Sequence, residues 1–318
     1  MRYVIFLPVS SGIFLYIDVS DFLYIYGHIV IIVALFSIQI SIYLNHCICL
    51  HIIRCNTLYL IRKGDGMIFY FSATGNCKYV AKQLSSNTGE IIVSMSECLK
   101  NNLFTFDIPE NENIGFVTPT YFWGLPIIVN DFLDKVKMIF SGKHYVYHIS
   151  TYGTTTGQAD RMLNKKIKTN NLKLDAVFCV KMVDTWTPVF NLSDKTKNNR
   201  ITKAADKEIN EIIKKVKNKT IGDFNNRRMP MIMTSLWYSG YKSGKPTNRF
   251  HVEDSCIGCG LCVKNCPMEA ITMVESKPVW TKSRCAACLS CLHHCPKFSI
   301  QYGRHTKRHG QFTNPNIK

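Results

Sequence analysis

Acidic residues are scarce in this 318-residue chain, which has 22 Asp and Glu against 39 Lys and Arg and a formal net charge of +17. Such a surplus invites a nucleic-acid hypothesis. However, no nucleic-acid-binding motif accompanies the basic residues, which are spread along the chain apart from a basic tail at 304–318. A G-x-G-x-x-G turn after a strand is also missing, so direct use of NAD(P)H is unsupported. The sequence therefore predicts no nucleic-acid partner.

Cysteine, in contrast, is abundant, with 14 residues. The run C-x2-C-x2-C-x3-C-P occurs twice, and each cysteine of the first run recurs 29 positions later. Zinc sites use pairs of C-x2-C, not two runs of four, and disulfides are rare in intracellular chains. The spacing is typical of 4Fe–4S ligation. The eight repeated residues are Cys256, Cys259, Cys262, Cys266, Cys285, Cys288, Cys291 and Cys295.

This segment, 247–303, resembles the two-cluster bacterial-type ferredoxins, which have a small α+β fold. The resemblance implies two [4Fe–4S] clusters whose ligand sets cross over. Three thiolates of one tight loop reach three corners of a cube, and the proline after the fourth cysteine directs that sulfur toward the other cube. The expected first cluster has the ligands Cys256, Cys259, Cys262 and Cys295, and the second has Cys285, Cys288, Cys291 and Cys266.

Other candidate metal ligands carry little weight. The six remaining cysteines are scattered, and we expect them to be buried or incidental thiols. The histidines and cysteines between His46 and Cys55 match no common metal-site spacing. His293 and His294 lie beside a cluster ligand and are in a position to tune its potential, but we expect them to be ordinary surface histidines.

The N-terminal extension, residues 1–66, allows two interpretations. Residues 22–44 contain no Asp, Glu, Lys or Arg and are long enough to span a bilayer. Basic residues follow, which would place the redox domains of a membrane-anchored protein in the cytoplasm. We favour the alternative that Met67 is the true start and that 1–66 are translated upstream DNA. The expected location is then cytoplasmic, and a membrane partner applies only if 22–44 are genuinely translated.

From Met67 onward, apolar runs alternate with helical patterns. We predict strands at 67–71, 90–93, 113–117, 144–149 and 176–183. Five strands alternating with helices predict an α/β fold with a doubly wound parallel sheet, over 67–191. Ligands bind such sheets at the carboxyl ends of the strands, near the switch point.

A glycine-containing loop, Ser72 to Cys77, connects the first predicted strand to a helix. Backbone N–H groups at a helix N-terminus and the helix dipole favour a phosphate there. The hydroxyls of Ser72 and Thr74 add hydrogen-bonding groups, and Gly75 allows the backbone to approach closely. Taken alone, the same pattern could simply cap a helix.

This domain resembles the flavodoxin family, which implies a five-stranded sheet and bound FMN. The acidic surface common in flavodoxins is absent. Cys77 stands where the family usually has Ser or Thr, and a thiol is a weak donor, so we expect looser phosphate binding. The resemblance implies a phosphate loop of Ser72, Thr74, Gly75, Asn76 and Cys77, and ring-binding loops with Thr118, Thr120, Tyr121, Trp123, Gly124, Thr151, Tyr152 and Gly153.

The connector, 192–246, contains an amphipathic helical pattern at 201–216. The apolar and aromatic residues at 229–241 predict packing between the two domains. No catalytic triad or pair of carboxylates stands out in this segment.

As a whole, the chain from Met67 resembles flavodoxin–ferredoxin fusion proteins. FMN takes up two electrons and releases them singly, so the resemblance implies electron transfer between FMN, two [4Fe–4S] clusters and a redox partner, either a protein or a small donor or acceptor. Bound cofactors would lower the net charge to about +11. Two alternatives stay open: a ferredoxin with a flavin-free docking domain, and a membrane-anchored redox subunit.

Overall fold

The computed structural model describes residues 4–9, 13–18, 66–243 and 246–317, and the chain divides into two compact units, Met1–Ile61 and Arg62–Lys318. In the first unit, strands β1 (Val4–Val9) and β2 (Ile13–Asp18) pair in antiparallel fashion. The membrane span predicted at 22–44 lies outside the described residues. Across the described stretches, no helix combines the length and apolarity that a membrane crossing requires.

The centre of the second unit is a parallel sheet of six strands in the order β4-β3-β6-β8-β9-β10, while β5 and β7 form a separate parallel pair. The strands are β3 (Met67–Tyr70), β4 (Ile91–Ser94), β5 (Thr105–Asp107), β6 (Ile114–Pro119), β7 (Lys137–Ile139), β8 (Val146–Tyr152), β9 (Ala176–Lys181) and β10 (Gly222–Asp223). The predicted doubly wound parallel sheet is confirmed, and the two-residue β10 adds an edge strand to the five predicted. The strand order reverses between β3 and β6, so their carboxyl ends form the switch point.

Helices cover both faces of this sheet. One face packs apolar side chains of α1 and α5, such as Leu84 and Ile209, against the strands. On the other face, Phe132 of α3 contacts Phe69 of β3 at 5.7 Å between ring centroids. The helices are α1 (Asn76–Thr88), α2 (Met95–Lys100), α3 (Ile127–Leu133), α4 (Ala159–Ile167), α5 (Lys195–Lys217) and α6 (Met231–Ser243).

Helix α5 begins six residues before the predicted start at 201. Asp194 provides the cap, because its side chain accepts a hydrogen bond of 2.9 Å from the N–H of Lys197. The apolar stripe of α5 is buried in the same core as Val80 and Phe178. The helix therefore packs as part of the α/β body.

The cysteine-rich region consists of short elements arranged as two similar halves. β11 pairs with β14, with Phe250 opposite Tyr302, and β12 and β13 form a hairpin. The hydrophobic core of this region includes Ile271, Leu292 and Ile300. The elements are β11 (Phe250–Val252), α7 (Leu261–Lys264), β12 (Ile271–Val274), β13 (Lys277–Trp280), α8 (Ser290–His293), β14 (Ile300–Tyr302) and α9 (Thr306–His309).

Helix α6 lies between the sheet and the cysteine-rich region, as expected for 229–241. The hydroxyl of Tyr238 donates to the carbonyl of Leu125 at 2.6 Å, and that of Tyr241 donates to the carbonyl of Ala286 at 3.0 Å. Arg284 forms a bidentate ion pair with Asp131, in which its two terminal guanidinium nitrogens lie 2.5 and 2.7 Å from the two carboxylate oxygens. These contacts fix the second cysteine run against the carboxyl ends of the sheet strands.

Candidate functional site

The predicted phosphate loop connects β3 to α1 at the switch point. Gly75 has φ of 95° and caps α1, and its N–H donates to the hydroxyl of Ser72 at 3.1 Å. The first N–H groups of a helix have no acceptor within the helix. At α1 these groups belong to Asn76, Cys77 and Lys78, and Tyr79 is the first residue whose N–H bonds back, to Gly75. An anion at this end of α1 would satisfy them.

Two side chains of this loop are already engaged. The Asn76 side-chain amide donates to the carbonyl of Val183 at 3.2 Å, and the Cys77 sulfur lies 3.1 Å from the hydroxyl oxygen of Thr151. Burial raises the pKa of the Cys77 thiol to about 12. Cys77 is therefore a neutral thiol that ties α1 to the end of β8.

A cavity of about 400 Å³ opens beside this loop. Its volume lies within the range of small-molecule and cofactor sites, about 300–1,000 Å³. Ten of the thirteen predicted flavin-site residues line it: Ser72, Thr74, Asn76, Cys77, Thr120, Tyr121, Trp123, Thr151, Tyr152 and Gly153.

The other three predicted residues, Gly75, Thr118 and Gly124, do not line the cavity. Thr118 is fully buried on β6, and its hydroxyl oxygen lies 2.9 Å from His148 Nε2. Gly124 faces α6, because a Cβ at this position would lie 2.6 Å from the Tyr238 ring. Gly75 acts through its backbone conformation, as described above.

The ring-binding loop after β6 is a tight turn. Tyr121 and Gly124 exchange two backbone hydrogen bonds of 2.9 Å, and Phe122 and Trp123 between them have φ of 47° and 65°. Left-handed backbone costs a non-glycine residue about 1–2 kcal/mol. Phe122 and Trp123 both line the cavity. Phe122 stacks on Tyr241 at 4.7 Å.

Sequence reasoning missed a fourth loop, the one that follows β9. It lines the cavity with Met182, Val183, Asp184, Thr185, Trp186, Val189 and Phe190. The rule that selected the other loops, position at the carboxyl end of a parallel strand, also applies to this one. Trp237 of α6 was missed because only the fold brings it to the cavity.

Asp184 is the carboxyl group of this fourth loop. It accepts a hydrogen bond of 3.1 Å from the N–H of Trp186, and burial raises its pKa. A side chain at position 153 would collide with it, since a Cβ there lies 2.2 Å from the Asp184 Cβ. Gly153 is therefore required by the approach of Asp184.

The eight repeated cysteines are free thiols and fall into two groups. Within the described ranges, no three His, Cys, Asp or Glu side chains are placed as ligands of a single metal ion. The first group lines a small cavity of about 20 Å³ and consists of Cys256, Cys259, Cys262 and Cys295. Cys295, from the second run, thus lies beside the first run.

The second group is formed by Cys285, Cys288 and Cys291, together with Cys266 from the first run. Burial raises the pKa of all three second-run thiols, and the charge of Cys266 raises each further. Four adjacent thiolates without a cation repel one another, and iron ions supply the positive charge that such a set needs. The donor sets fit iron–sulfur clusters.

The two cysteine runs have matching backbones. Positive φ angles occur at Gly258 and Gly260 in the first run and at Ala287 and Leu289, their counterparts 29 positions later. Backbone N–H groups point at the sulfurs in both. Ala270 donates to Cys266 at 3.3 Å, and Ser299 donates to Cys295 at 3.3 Å. Such bonds stabilise thiolate charge and tune the potential of a cluster.

His293 is not a surface histidine, so that expectation is wrong. It is only 4% exposed; its Nε2 lies 2.8 Å from the carbonyl oxygen of Thr185, and its Nδ1 accepts from the N–H of Phe312 at 3.2 Å. Burial lowers its pKa to about 4. His293 therefore connects α8, as a neutral ring, to the loop after β9.

The second cysteine run reaches the large cavity. Ala287 and Cys288 line it together with the phosphate and ring-binding loops. The Ser290 hydroxyl donates to the carbonyl of Ala73, in the phosphate loop, at 3.1 Å. A molecule bound in the cavity would therefore contact the loop that carries Cys288.

Comparisons with known proteins agree with the two parts of the fold. A flavodoxin-domain family model matches residues 67–211, and a 4Fe–4S dicluster-domain family model matches residues 249–296. An uncharacterised polyferredoxin-like protein of Methanocaldococcus jannaschii is 36% identical over 62 residues, covering 15% of this chain and 37% of that protein. The chain thus matches little more than a third of the length of that relative.

Solved structures similar to the chain include a flavodoxin and an oxidoreductase. The flavodoxin of Streptococcus pneumoniae TIGR4 is 13% identical, with 47% of this chain and 98% of that chain covered and a TM-score of 0.28. The rubredoxin oxygen:oxidoreductase of Desulfovibrio gigas is 14% identical, with 49% and 36% covered and a TM-score of 0.30.

Proposed function

We propose that this chain, which joins a flavodoxin domain to a 4Fe–4S dicluster domain as flavodoxin–ferredoxin fusion proteins do, transfers electrons between FMN and two [4Fe–4S] clusters. The two domain types support electron transfer in general. The observation that carries the specific proposal is the position of Cys288, a cysteine of the second group that lines the flavodoxin-domain cavity. A flavin in the cavity and a cluster on Cys288 would be neighbours with no intervening protein layer.

The residues of the cavity fit FMN. The N–H groups at the start of α1 would bind the phosphate, and Tyr121, Tyr152 and Trp186 would enclose the ring. When bound, FMN supplies exchange between two-electron and one-electron carriers. The chain would position the flavin, and the aromatic side chains would shield its ring from water.

The two cysteine groups differ in exposure, which suggests an order of transfer. We call the group of Cys266, Cys285, Cys288 and Cys291 the proximal site and the group of Cys256, Cys259, Cys262 and Cys295 the distal site. The proximal site adjoins the cavity, whereas Cys259 of the distal site is exposed and its neighbour Ile257 is 60% exposed. Electrons would pass between the cavity, the proximal cluster, the distal cluster and a redox partner at the surface near Cys259. The partner would be a redox protein or a small donor or acceptor.

Cofactor content and internal transfer test this proposal together. The full chain, purified without oxygen, should contain about one FMN, eight iron and eight sulfide. After rapid reduction of the flavin, the paramagnetic signals of reduced clusters should appear. Iron and sulfide without flavin would instead support a ferredoxin with a flavin-free docking domain. A flavin that is reduced without any response of the clusters would contradict the proposal.

A further inference from the structure

The C-terminal segment Gln311 to Ile317 packs behind the phosphate loop. The N–H of Asn314 donates to the carbonyl of Thr74 at 2.8 Å, and its side-chain amide donates to the Asn76 Oδ1 at 3.0 Å. Asn314 is 1% exposed. Its Cβ is also the nearest atom to the position that a Cβ at Gly75 would occupy, at 3.0 Å. One buried residue thus lies against three successive residues of the loop, Thr74 through its backbone and Asn76 through its side chain.

The segment supports the loop without filling the cavity. Thr74 and Asn76 line the cavity, but among the described residues no member of 311–317 does. Asn314 fixes the Asn76 side chain, which in turn donates to Val183 on the next wall of the cavity. With its side chain held in this way, Asn76 can present its backbone N–H to an anion.

The same segment is attached to the dicluster domain. The Gln311 side-chain amide donates to the carbonyls of Leu292 and Cys295, at 2.6 and 2.9 Å. The N–H of Phe312 donates to His293. Two residues later, Asn314 reaches the phosphate loop. The segment therefore spans from a distal-site cysteine to the flavin phosphate loop.

We propose that Asn314 is a positioning residue of the flavin phosphate site, and that the C-terminal segment makes phosphate binding depend on the folded dicluster domain. This inference rests on the proposed binding of FMN. It assigns a role to a segment that lies outside both family matches, which end at 211 and 296. Replacing Asn314 would leave the Asn76 side chain without its donor, so the loop would lose its fixed conformation.

The test compares two flavins that differ by the phosphate. Flavin-free protein with its clusters intact is titrated with FMN and with riboflavin, and the dissociation constants are obtained from flavin fluorescence. In Asn314→Ala, the FMN constant should rise about tenfold, equivalent to about 1.4 kcal/mol. The riboflavin constant should change less than about twofold, because riboflavin has no phosphate. The matched control is Thr313→Ala, at an exposed neighbouring position, and should leave both constants unchanged.

A second variant, Asn314→Asp, keeps the size of the side chain. It loses the donor to Asn76 and adds a negative charge behind the phosphate site, so its FMN constant should rise further than that of Asn314→Ala and depend on salt. Equal losses for both flavins, unchanged FMN binding or tighter FMN binding would overturn the inference. A wild-type protein that binds neither flavin would contradict the proposed function itself.

Discussion

The two domains differ in how they are built. The flavodoxin domain has a core of large rings, such as Phe69, Phe116 and Phe132, between its sheet and its helices. The dicluster domain is assembled from short elements, with strands of three or four residues. The core of the dicluster domain includes proposed cluster ligands, among them Cys262 and Cys266. Apolar burial alone can stabilise the first domain. The second folds around spaces lined by thiols, so its stability should depend on what fills them.

The largest expected difference between the two domains is their response to the removal of iron. Anaerobic chelation should unfold the dicluster domain and leave the flavodoxin sheet intact, because the proposed cluster ligands lie in the core of the dicluster domain. Hydrogen exchange followed by mass spectrometry is the measurement. We expect exchange at 256–302 to accelerate by at least about 100-fold and in strands β3, β6 and β8 by less than about threefold. Equal acceleration in both ranges would contradict the comparison.

Within the dicluster domain, Cys266→Ala should disable the proximal cluster, although Cys266 lies in the first run. Iron should fall by about four per chain, and reduction of the flavin should no longer reach the remaining cluster. Cys295→Ala is the matched variant: it should lose the distal cluster and keep transfer from flavin to the proximal one. Iron analysis and paramagnetic resonance measure both results. The reverse pattern would show that the ligand sets do not cross over.

In the flavodoxin domain, Phe69→Ala should cost about 3–5 kcal/mol of unfolding free energy. Phe69 is fully buried, and its ring lies 5.0 Å from that of Phe106 and 5.7 Å from that of Phe116. Urea unfolding is the measurement, with iron content as the second readout. Iron per chain should stay unchanged, and Phe69→Leu should cost far less. Loss of iron in parallel with stability would mean that the cores are not independent.

The pH dependence of the flavodoxin domain should include a contribution from His148. This histidine is buried on β8, and burial lowers its pKa from 6.5 to about 4, with Asp160 opposing and Arg228 reinforcing the shift. Between these values the unfolded chain binds more protons, so stability should fall as the pH drops from 6.5 toward 4, by up to about 1.4 kcal/mol per pH unit.

His148→Gln provides the comparison for this effect. Its unfolding free energy should change less between pH 6.5 and pH 5 than that of the wild type, and urea midpoints at both values measure the difference. Identical pH slopes in the two proteins would show that His148 does not titrate as expected.

The smallest expected effect concerns the glycines of the first cysteine run. A Cβ at Gly260 would meet no atom within 4 Å, so Gly260→Ala should cost only the left-handed backbone, about 1 kcal/mol. At Gly258 a Cβ would lie 2.9 Å from the carbonyl oxygen of Ser276, so Gly258→Ala should cost more. Urea midpoints of cluster absorbance measure both. Equal costs would contradict this distinction.

Much of the flavodoxin domain was predictable, because buried parallel strands have short, continuous apolar sequences such as Met67–Tyr70. The rule that ligands bind at the carboxyl ends of parallel strands then identified three of the four loops that line the cavity. The same signal existed for Asp184 and Trp186 but was not applied to the last strand. Helix α5 was assigned to the connector because its amphipathic pattern does not say which surface it covers.

Other features depend on tertiary contacts that a single sequence does not contain. Trp237 and Asn314 reach the cavity and its loop from segments that are distant along the chain. His293 resembles any histidine near a cluster until α8 packs against the loop after β9. Left-handed backbone at Ala287 and Leu289 is equally hidden, since neither residue type signals it. The cysteine spacing, in contrast, reports local geometry directly.

The most direct test of the central claim is internal electron transfer in the intact protein. The flavin of the anaerobic wild-type chain is reduced rapidly, and flavin absorbance and cluster paramagnetic signals are followed in the same samples. Contact of Cys288 with the cavity predicts that both signals change together in the wild type and that the flavin changes alone in Cys266→Ala. A reduced flavin that coexists with oxidised clusters of higher potential in the wild type would contradict the account.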